Sequence, residues 1–297
     1  MGINLKCPEC GSFGRTEMLS LYSCPACRKD FVYYGEEDIS CCIYCGRDML
    51  SKREISGALR PQAMIPFKVT REKAAKILME YCSGKPLAPK TLSELDFPAK
   101  IKGFYQPVWV LSGTGKYSVD FKGAKSLAYK EKKIEGVKKD FYSLRRGGSF
   151  FFEDFLLWER GDIEPYYLGE AVPFEESLLE GFFSDKLYET KDEAAEKICS
   201  AVEGSLTGLC KKDLDGFSDV KAENTDVSFE RESLKYMLVP LWVLNFNYDG
   251  KTHTFAVNGQ TGKVSGLLPV GKGEYLKYFL LIFGIIAAAG IIIGNLI

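Results

Sequence analysis

The sequence predicts an α+β protein in three parts: an N-terminal zinc ribbon, a body made from a duplicated helix-plus-antiparallel-sheet unit, and one C-terminal transmembrane helix. Three observations predict it. Paired CxxC motifs occur in the first 45 residues, two amphipathic helix patterns each precede a strand with a common core, and the chain ends in an uncharged run. The predicted domains are 1–60 for the ribbon region, 61–270 for the body and 278–297 for the membrane segment.

Metal ligands are predicted from three CxxC motifs, called knuckles here. The knuckles are Cys7/Cys10, Cys24/Cys27 and Cys42/Cys45. A zinc ribbon places two knuckles on two hairpin tips, so that four thiolates surround the ion tetrahedrally. Thirteen residues separate the first two knuckles and 14 separate the last two. Both separations fit a ribbon, so spacing alone leaves the pairing open.

The favoured ligand set for one closed Zn²⁺ site is Cys24, Cys27, Cys42 and Cys45. We favour it because the last knuckle leads directly into the body. The alternative set is Cys7, Cys10, Cys24 and Cys27. In the favoured set, Cys7 and Cys10 are left as a half-ribbon, or they join Cys41 and a ligand from outside. The chain's only histidine, His253, lies far along the sequence, so the site is expected to be structural and not catalytic.

Charge and cysteine usage limit the function classes. The chain carries 39 basic and 40 acidic side chains, and its first 60 residues carry eight of each. That balance argues against a DNA-reading ribbon, which needs cations to neutralise phosphates. The N-terminus lacks the apolar segment of an export signal, so the clustered cysteines indicate metal thiolates in a reducing compartment and not disulfides.

The body is predicted to contain two similar halves, about 61–145 and 170–270. Each half begins with an amphipathic helix, predicted over 70–82 and 190–202, and the second opens with a Thr190/Glu193 capping box. A strand and a hairpin follow each helix. The strands are "YQPVWVL" at 105–111 and "LVPLWVL" at 238–244. Asp249-Gly250 predicts a two-residue hairpin turn.

The C-terminal run, 278–297, contains 20 residues without a charge. That length matches the roughly 20 residues that a helix needs to cross a bilayer core. Lys272 and Lys277 precede the run, which favours a cytosolic orientation of the bulk of the chain. We therefore expect a single-pass tail anchor in the cell membrane.

Catalytic motifs are not found in the sequence. It has no Ser-His-Asp or Cys-His grouping in a motif context, and no phosphate-binding glycine loop. We therefore expect that the protein is not an enzyme.

Several segments together resemble the TFIIB-type zinc-ribbon membrane proteins of Gram-positive bacteria. Besides the knuckles they are "MIPF" (64–67), "LAPK" (87–90), "GFYQPVWV" (103–110), "VPFEESLLEGFFSDKLY" (172–188), "LVPLWVL" (238–244) and "HTFAVNGQTGKVSGLLP" (253–269). Members of that family usually have four full knuckles, whereas this chain has three. The resemblance implies a membrane platform that recruits SPFH-type, phage-shock-type or small membrane partner proteins under envelope stress.

The leading functional hypothesis is thus a tail-anchored scaffold or adaptor with a cytosolic zinc ribbon that recruits protein partners. Nucleic acid is not expected as a partner, because the charges are balanced. Two alternatives stay open: a nucleic-acid-binding or transcription-related protein, and a thiol-based redox or metal sensor that uses Cys7, Cys10 and Cys41.

Overall fold

The computed structural model describes most of the chain. The described residues are 3–6, 13–16, 19–35, 37–48, 50–53, 56–131, 134–157, 163, 165–185 and 190–296. The predicted ligands Cys7 and Cys10 lie outside them.

Strands dominate the described elements. The strands are β1 (Ile3–Lys6), β2 (Phe13–Thr16), β3 (Leu19–Ser23), β4 (Asp30–Tyr34), β5 (Ser51–Arg53), β6 (Ser56–Leu59), β7 (Ala63–Met64), β8 (Lys102–Glu131), β9 (Ile134–Leu157), β10 (Val172–Pro173), β11 (Phe182–Asp185), β12 (Ser218–Tyr248), β13 (Lys251–Asn258) and β14 (Val264–Ser265). The helices are α1 (Arg71–Cys82), α2 (Lys90–Ser93), α3 (Phe97–Lys100), α4 (Lys191–Lys212) and α5 (Lys272–Leu296).

Most strands belong to one mixed sheet, in the order β10-β7-β12-β8-β11-β4-β3-β5, with β9 beside β8 and β13 and β14 continuing from β12. Parallel pairs, β11 with β8 and β12 with β7, occur next to antiparallel ones. A separate three-stranded sheet has the order β2-β1-β6.

This topology corrects the predicted fold class. Most of the regular structure in the described residues is β-strand, and most of those strands lie in one large mixed sheet, so the predicted α+β class is contradicted. The predicted body of duplicated helix-plus-antiparallel-sheet units is corrected as well, because 105–111 and 238–244 lie in β8 and β12 of one mixed sheet. These strands are 30 and 31 residues long, and pairing in one sheet leaves fewer backbone groups at open edges.

The chain divides into two compact units, which are described separately. Unit 1 comprises 1–107, 159–187 and 237–297, and unit 2 comprises 108–158 and 188–236.

In unit 1, α1 packs against β12 and β13. Thr70 caps its first turn by accepting the N–H of Lys73. Its buried face, which contains Ala75 and Leu78, packs in one cluster with Trp242 and Phe255. The helix bounds match the predicted 70–82 to within one residue, because the capping residue and the 3.6-residue spacing of apolar side chains are both local signals.

The β13–β14 reversal in unit 1 is organised by Asn258, which is fully buried. Its amide donates to the carbonyls of Ile163 and Pro165 at 3.1 and 3.0 Å. Its oxygen accepts the N–H groups of Gln260 and Thr261, both at 2.9 Å. Every hydrogen-bonding group of this side chain is therefore paired, as burial requires.

Two prolines lie inside long strands, at the points where the strand changes its pairing partner. The ladder from β7 reaches Leu238 on β12, and the ladder from β13 begins at Leu241. Pro240 lies between them, where its missing N–H removes no ladder bond to either strand. On β8, Pro107 lies in the same way between the pairing with β11, which ends at Tyr105, and the pairing with β9.

In unit 2, β8 and β9 form a long hairpin and α4 packs on it. The predicted capping box is confirmed: Thr190 and Glu193 exchange side-chain-to-backbone hydrogen bonds. The helix continues to Lys212, ten residues beyond the predicted end at 202. Its buried Cys210 packs with Val119 and Phe121.

Residues 116–146 carry ten basic and four acidic side chains, and part of this positive charge is neutralised within unit 2. Ion pairs join Arg145 to Asp120 at 2.5 Å, Lys122 to Glu223 at 2.5 Å and Lys139 to Asp219 at 2.9 Å. These pairs are exposed and contribute little stability. They reduce the number of cations left free to meet an external anion.

The predicted tail anchor at 278–297 is contradicted. No helix in the described part of the chain is long and apolar enough to cross a membrane. The side chains of α5 are described from Lys272 to Ala289, and Lys272, Glu274 and Lys277 are charged. Without such a helix, the predicted single-pass membrane localisation is not supported.

Candidate metal centre

Four cysteine thiols meet near the start of the large sheet. They are Cys24, Cys27, Cys42 and Cys45, and their Sγ atoms all lie within 4.8 Å of one another. The Sγ atoms of Cys24 and Cys45 are 3.7 Å apart, as are those of Cys27 and Cys42. Zn–S bonds of about 2.3 Å place the corners of a tetrahedron about 3.8 Å apart. The thiol spacing therefore fits a tetrahedral four-sulfur site.

The two knuckles that supply these thiols share one backbone pattern. In the Cys24 knuckle, Cys24 O accepts the N–H of Arg28 at 2.8 Å and Cys24 N–H donates to Lys29 O at 3.0 Å. In the Cys42 knuckle, Cys42 makes the equivalent bonds with Gly46 and Arg47 at 2.9 and 3.0 Å. Each turn thus places its two thiols on the same side, as chelation requires.

A left-handed residue closes each turn. Gly46 has φ 73° and Arg28 has φ 60°. Glycine adopts this conformation freely, whereas a residue with a Cβ pays about 1 kcal/mol or more. The lack of a glycine in the Cys24 knuckle, noted in the sequence, therefore does not prevent the same turn from forming.

The protonation of the free thiols is uneven. Burial alone would raise the pKa of Cys24, but the backbone N–H groups of Cys27 and Ala26 outweigh it and lower that pKa to about 7. Burial raises the pKa of the Cys42 thiol to about 12. A bound cation deprotonates thiols outright, so metal binding here releases protons and its affinity falls as pH falls.

The Cys42 knuckle is attached to other strands of unit 1. The Tyr44 hydroxyl donates a short hydrogen bond to Asp185 on β11, and Asn245 on β12 donates to Ile43 O at 2.5 Å. The Tyr44 ring lies edge-on to Phe31 and Phe104. Burial and the Asp185 carboxylate both raise the pKa of Tyr44, so its phenol stays protonated and can donate.

Four other cysteines that the structure describes lie outside this cluster. Cys41 is exposed, Cys82 and Cys210 are buried, and Cys199 is half-buried. Within the described residues, no other group of three or more cysteine, histidine or acidic side chains is close enough to hold a metal ion. His253 lies on β13 opposite Phe246.

The sequence did not identify the residues that hold the Cys42 knuckle in place. Asp185 lies 141 residues after Tyr44, and Asn245 lies 202 residues after Ile43. No local sequence pattern predicts contacts over such separations. Tyr33 and Tyr34 on β4 are 4% and 7% exposed. Both side chains therefore belong to the core of unit 1.

Comparisons with known proteins give one relative of unassigned function. The chain is similar to the uncharacterized protein YdjG of Bacillus subtilis (strain 168), with 25% identity over 249 residues, which is 79% of this chain and 71% of that protein. No protein-family model matches the chain, and no solved structure matches it. The resemblance to the zinc-ribbon membrane family therefore stays a prediction.

Proposed function

We propose that this chain is a protein-binding adaptor with a structural zinc site at Cys24, Cys27, Cys42 and Cys45, and not an enzyme. The observation that carries the proposal is the closed set of four thiols at tetrahedral spacing. A catalytic zinc keeps a position for water or substrate, usually beside histidine or carboxylate ligands. Four sulfur ligands leave no such position, so the metal's contribution is to fold and stiffen the polypeptide around it.

Zinc is favoured over other ions by ligand chemistry. Four thiolates in a tetrahedron suit Zn²⁺ or iron, whereas oxygen ligands would favour Mg²⁺ or Ca²⁺. Zinc has no redox chemistry of its own, which suits a site whose role is structural. Measurement of bound zinc and iron in the purified protein distinguishes the two.

Protein partners are favoured over nucleic acid. The first 60 residues are charge-balanced, and several cations of the 116–146 stretch have carboxylate partners. The loop of the Cys24 knuckle offers an exposed surface: Pro25, Ala26 and Arg28 are all exposed. A metal-fixed loop of this kind presents side chains to a partner without a large ordering cost. The resemblance noted in the sequence names SPFH-type and phage-shock-type proteins as the first partners to look for.

The experiment is affinity capture of the tagged full chain from its own cells, with partners identified by mass spectrometry. Three forms are compared: wild type, a Cys24→Ser/Cys27→Ser variant without two proposed ligands, and a Cys41→Ser variant. Cys41 is the matched control because it is an exposed thiol beside Cys42 and outside the cluster. Each form is also assayed for zinc and iron.

We expect about one zinc per chain in the wild type and in Cys41→Ser, with the same partner proteins bound to both. The double variant is expected to lose the metal and at least one partner. Partners retained in full by the metal-free variant would place recruitment outside the metal site. Enrichment of nucleic acid in place of protein would overturn the adaptor proposal.

A further inference from the structure

Tyr44 connects the metal site to the strands of unit 1 through two groups on one residue. Its backbone N–H points at the Sγ of Cys42 at 3.4 Å. Its hydroxyl donates to Asp185 on β11. A single residue thus connects a proposed metal ligand, through its backbone, to β11, through its side chain.

Other contacts hold the same loop. Asn245 donates to Ile43 O at 2.5 Å, and its side-chain oxygen accepts the Thr254 hydroxyl at 2.7 Å. Lys29 of the other knuckle lies 4.6 Å from the centre of the Tyr44 ring. The Cys42 knuckle therefore makes polar contacts with β11, β12 and the Cys24 knuckle.

β11 is itself joined to the Cys24 knuckle. Asp185 pairs with Phe31 of β4 in the antiparallel ladder, and β4 follows directly after Lys29 of that knuckle. Both knuckles thus converge on β11, one through backbone pairing and one through the Tyr44 hydroxyl. Metal binding would draw the two knuckles together at this strand.

We infer that metal binding and the attachment of the Cys42 knuckle to β11 and β12 are thermodynamically coupled through Tyr44. Metal loading orders the turn that carries Ile43 and Tyr44, and that order makes the contacts with Asp185 and Asn245. Metal loss frees the turn and uncovers Asp185 together with the ring faces of Phe31 and Phe104. Metal occupancy would then determine whether Tyr44 covers Asp185, Phe31 and Phe104.

Coupling of this kind is reciprocal. If the Tyr44–Asp185 bond strengthens metal binding by some factor, the metal strengthens that attachment by the same factor. A variant that breaks the bond without touching a thiol must therefore bind the metal more weakly. A structural role for Tyr44 alone does not require this result.

The test uses the purified full chain and Zn²⁺, with a chelator competing for the metal. Tyr44→Phe removes only the hydroxyl and keeps the ring and the backbone N–H. Tyr81→Phe is the matched control, because Tyr81 donates its hydroxyl to Gly266 O at 3.0 Å elsewhere in unit 1. Amide hydrogen exchange of a peptide covering 182–185 is followed in each protein before and after zinc removal.

We expect Tyr44→Phe to bind zinc about tenfold more weakly than wild type, as loss of outer contacts to a metal site commonly does, and Tyr81→Phe to bind it normally. Exchange at 182–185 is expected to rise on zinc removal in the wild type. Equal zinc affinity of the two tyrosine variants, or exchange at 182–185 that ignores zinc, overturns the inference.

The inference rests on the proposed metal site, but the experiment distinguishes failure of the metal site from failure of the coupling. If no form binds zinc, the metal site itself is wrong. If zinc binds but Tyr44→Phe behaves like its control, only the coupling is wrong. Should Tyr44→Phe not fold, Asp185→Asn is tested instead. It replaces the charged acceptor of the Tyr44 hydroxyl with a neutral amide oxygen and so weakens that hydrogen bond, and it is expected to weaken zinc binding.

Discussion

Trp242 donates its indole N–H to the carbonyl of Val69 at 2.8 Å, across 173 residues of sequence. The bond joins β12 to the segment that enters α1, and both residues are buried. Trp109 occupies the matching position in "YQPVWVL" (105–111), as Trp242 does in "LVPLWVL" (238–244). Within the described residues, however, the buried indole N–H of Trp109 has no hydrogen-bond partner. Two tryptophans in similar sequence contexts therefore differ in the hydrogen bonding of their indole N–H groups.

That difference predicts unequal effects of the same substitution. Trp242→Phe keeps most of the apolar contact but leaves the buried Val69 carbonyl without its donor, at a cost of about 1–3 kcal/mol beyond the lost ring volume. Trp109→Phe loses ring volume and removes an unpaired donor. Urea unfolding is expected to show the larger loss of stability for Trp242→Phe. Equal losses would mean that the Trp242–Val69 bond contributes nothing.

The sequence predicted best where the signal is local. The Thr190/Glu193 capping box, the α1 bounds and the Asp249-Gly250 turn each depend on residues within a few positions of one another. Asp249 and Gly250 both have positive φ, 52° and 73°, as a two-residue hairpin turn requires.

The large sheet was missed because its pairings are distant. The predicted strands covered seven residues each, whereas β8 and β12 continue through polar stretches in which apolar alternation is weak. Those stretches become strands because β9 supplies a partner for β8 along 109–131. For the metal site, the CxxC motifs supplied the thiols, but the anchors of the Cys42 knuckle on Asp185 and Asn245 had no sequence signal.

Asn258 provides a second stability prediction. Asn258→Asp replaces the amide that donates to the carbonyls of Ile163 and Pro165 and places a carboxylate in a fully buried position. We expect a loss of at least about 3 kcal/mol at neutral pH. Asn247→Asp is the control, since Asn247 is exposed and accepts only the Thr252 hydroxyl at this hairpin.

The loss should depend on pH. Burial favours the neutral acid, so the carboxyl introduced at position 258 has a folded-state pKa above its unfolded value of about 3.9. A group of this kind destabilises the fold above the unfolded pKa and loses that effect below it. The stability gap between Asn258→Asp and wild type should therefore narrow as pH falls from 7 to 4. A gap that is independent of pH would show that the new carboxyl is not desolvated.

Thiol reactivity gives a prediction that does not depend on folding energy. Burial raises the pKa of Cys82 to about 11, so at pH 8 only about one molecule in a thousand carries the thiolate that reacts. Cys41 is exposed. Pulse alkylation with mass spectrometry should label Cys41 at least about 100-fold faster than Cys82. Comparable labelling of both thiols in the native protein would contradict the burial of Cys82.

The Cys24 and Cys42 knuckles should respond unequally to exchange of the residues that close their turns. A Cβ at Gly46 would meet no atom within 4 Å, so the cost of Gly46→Arg comes from the backbone alone and is about 1 kcal/mol. Arg28→Gly relieves the same strain in the Cys24 knuckle but increases the freedom of the unfolded chain by a similar amount. With zinc saturating, urea unfolding should show a clear loss for Gly46→Arg and a change within about 0.5 kcal/mol for Arg28→Gly. A large loss for Arg28→Gly would instead show that the Arg28 side chain itself stabilises the turn.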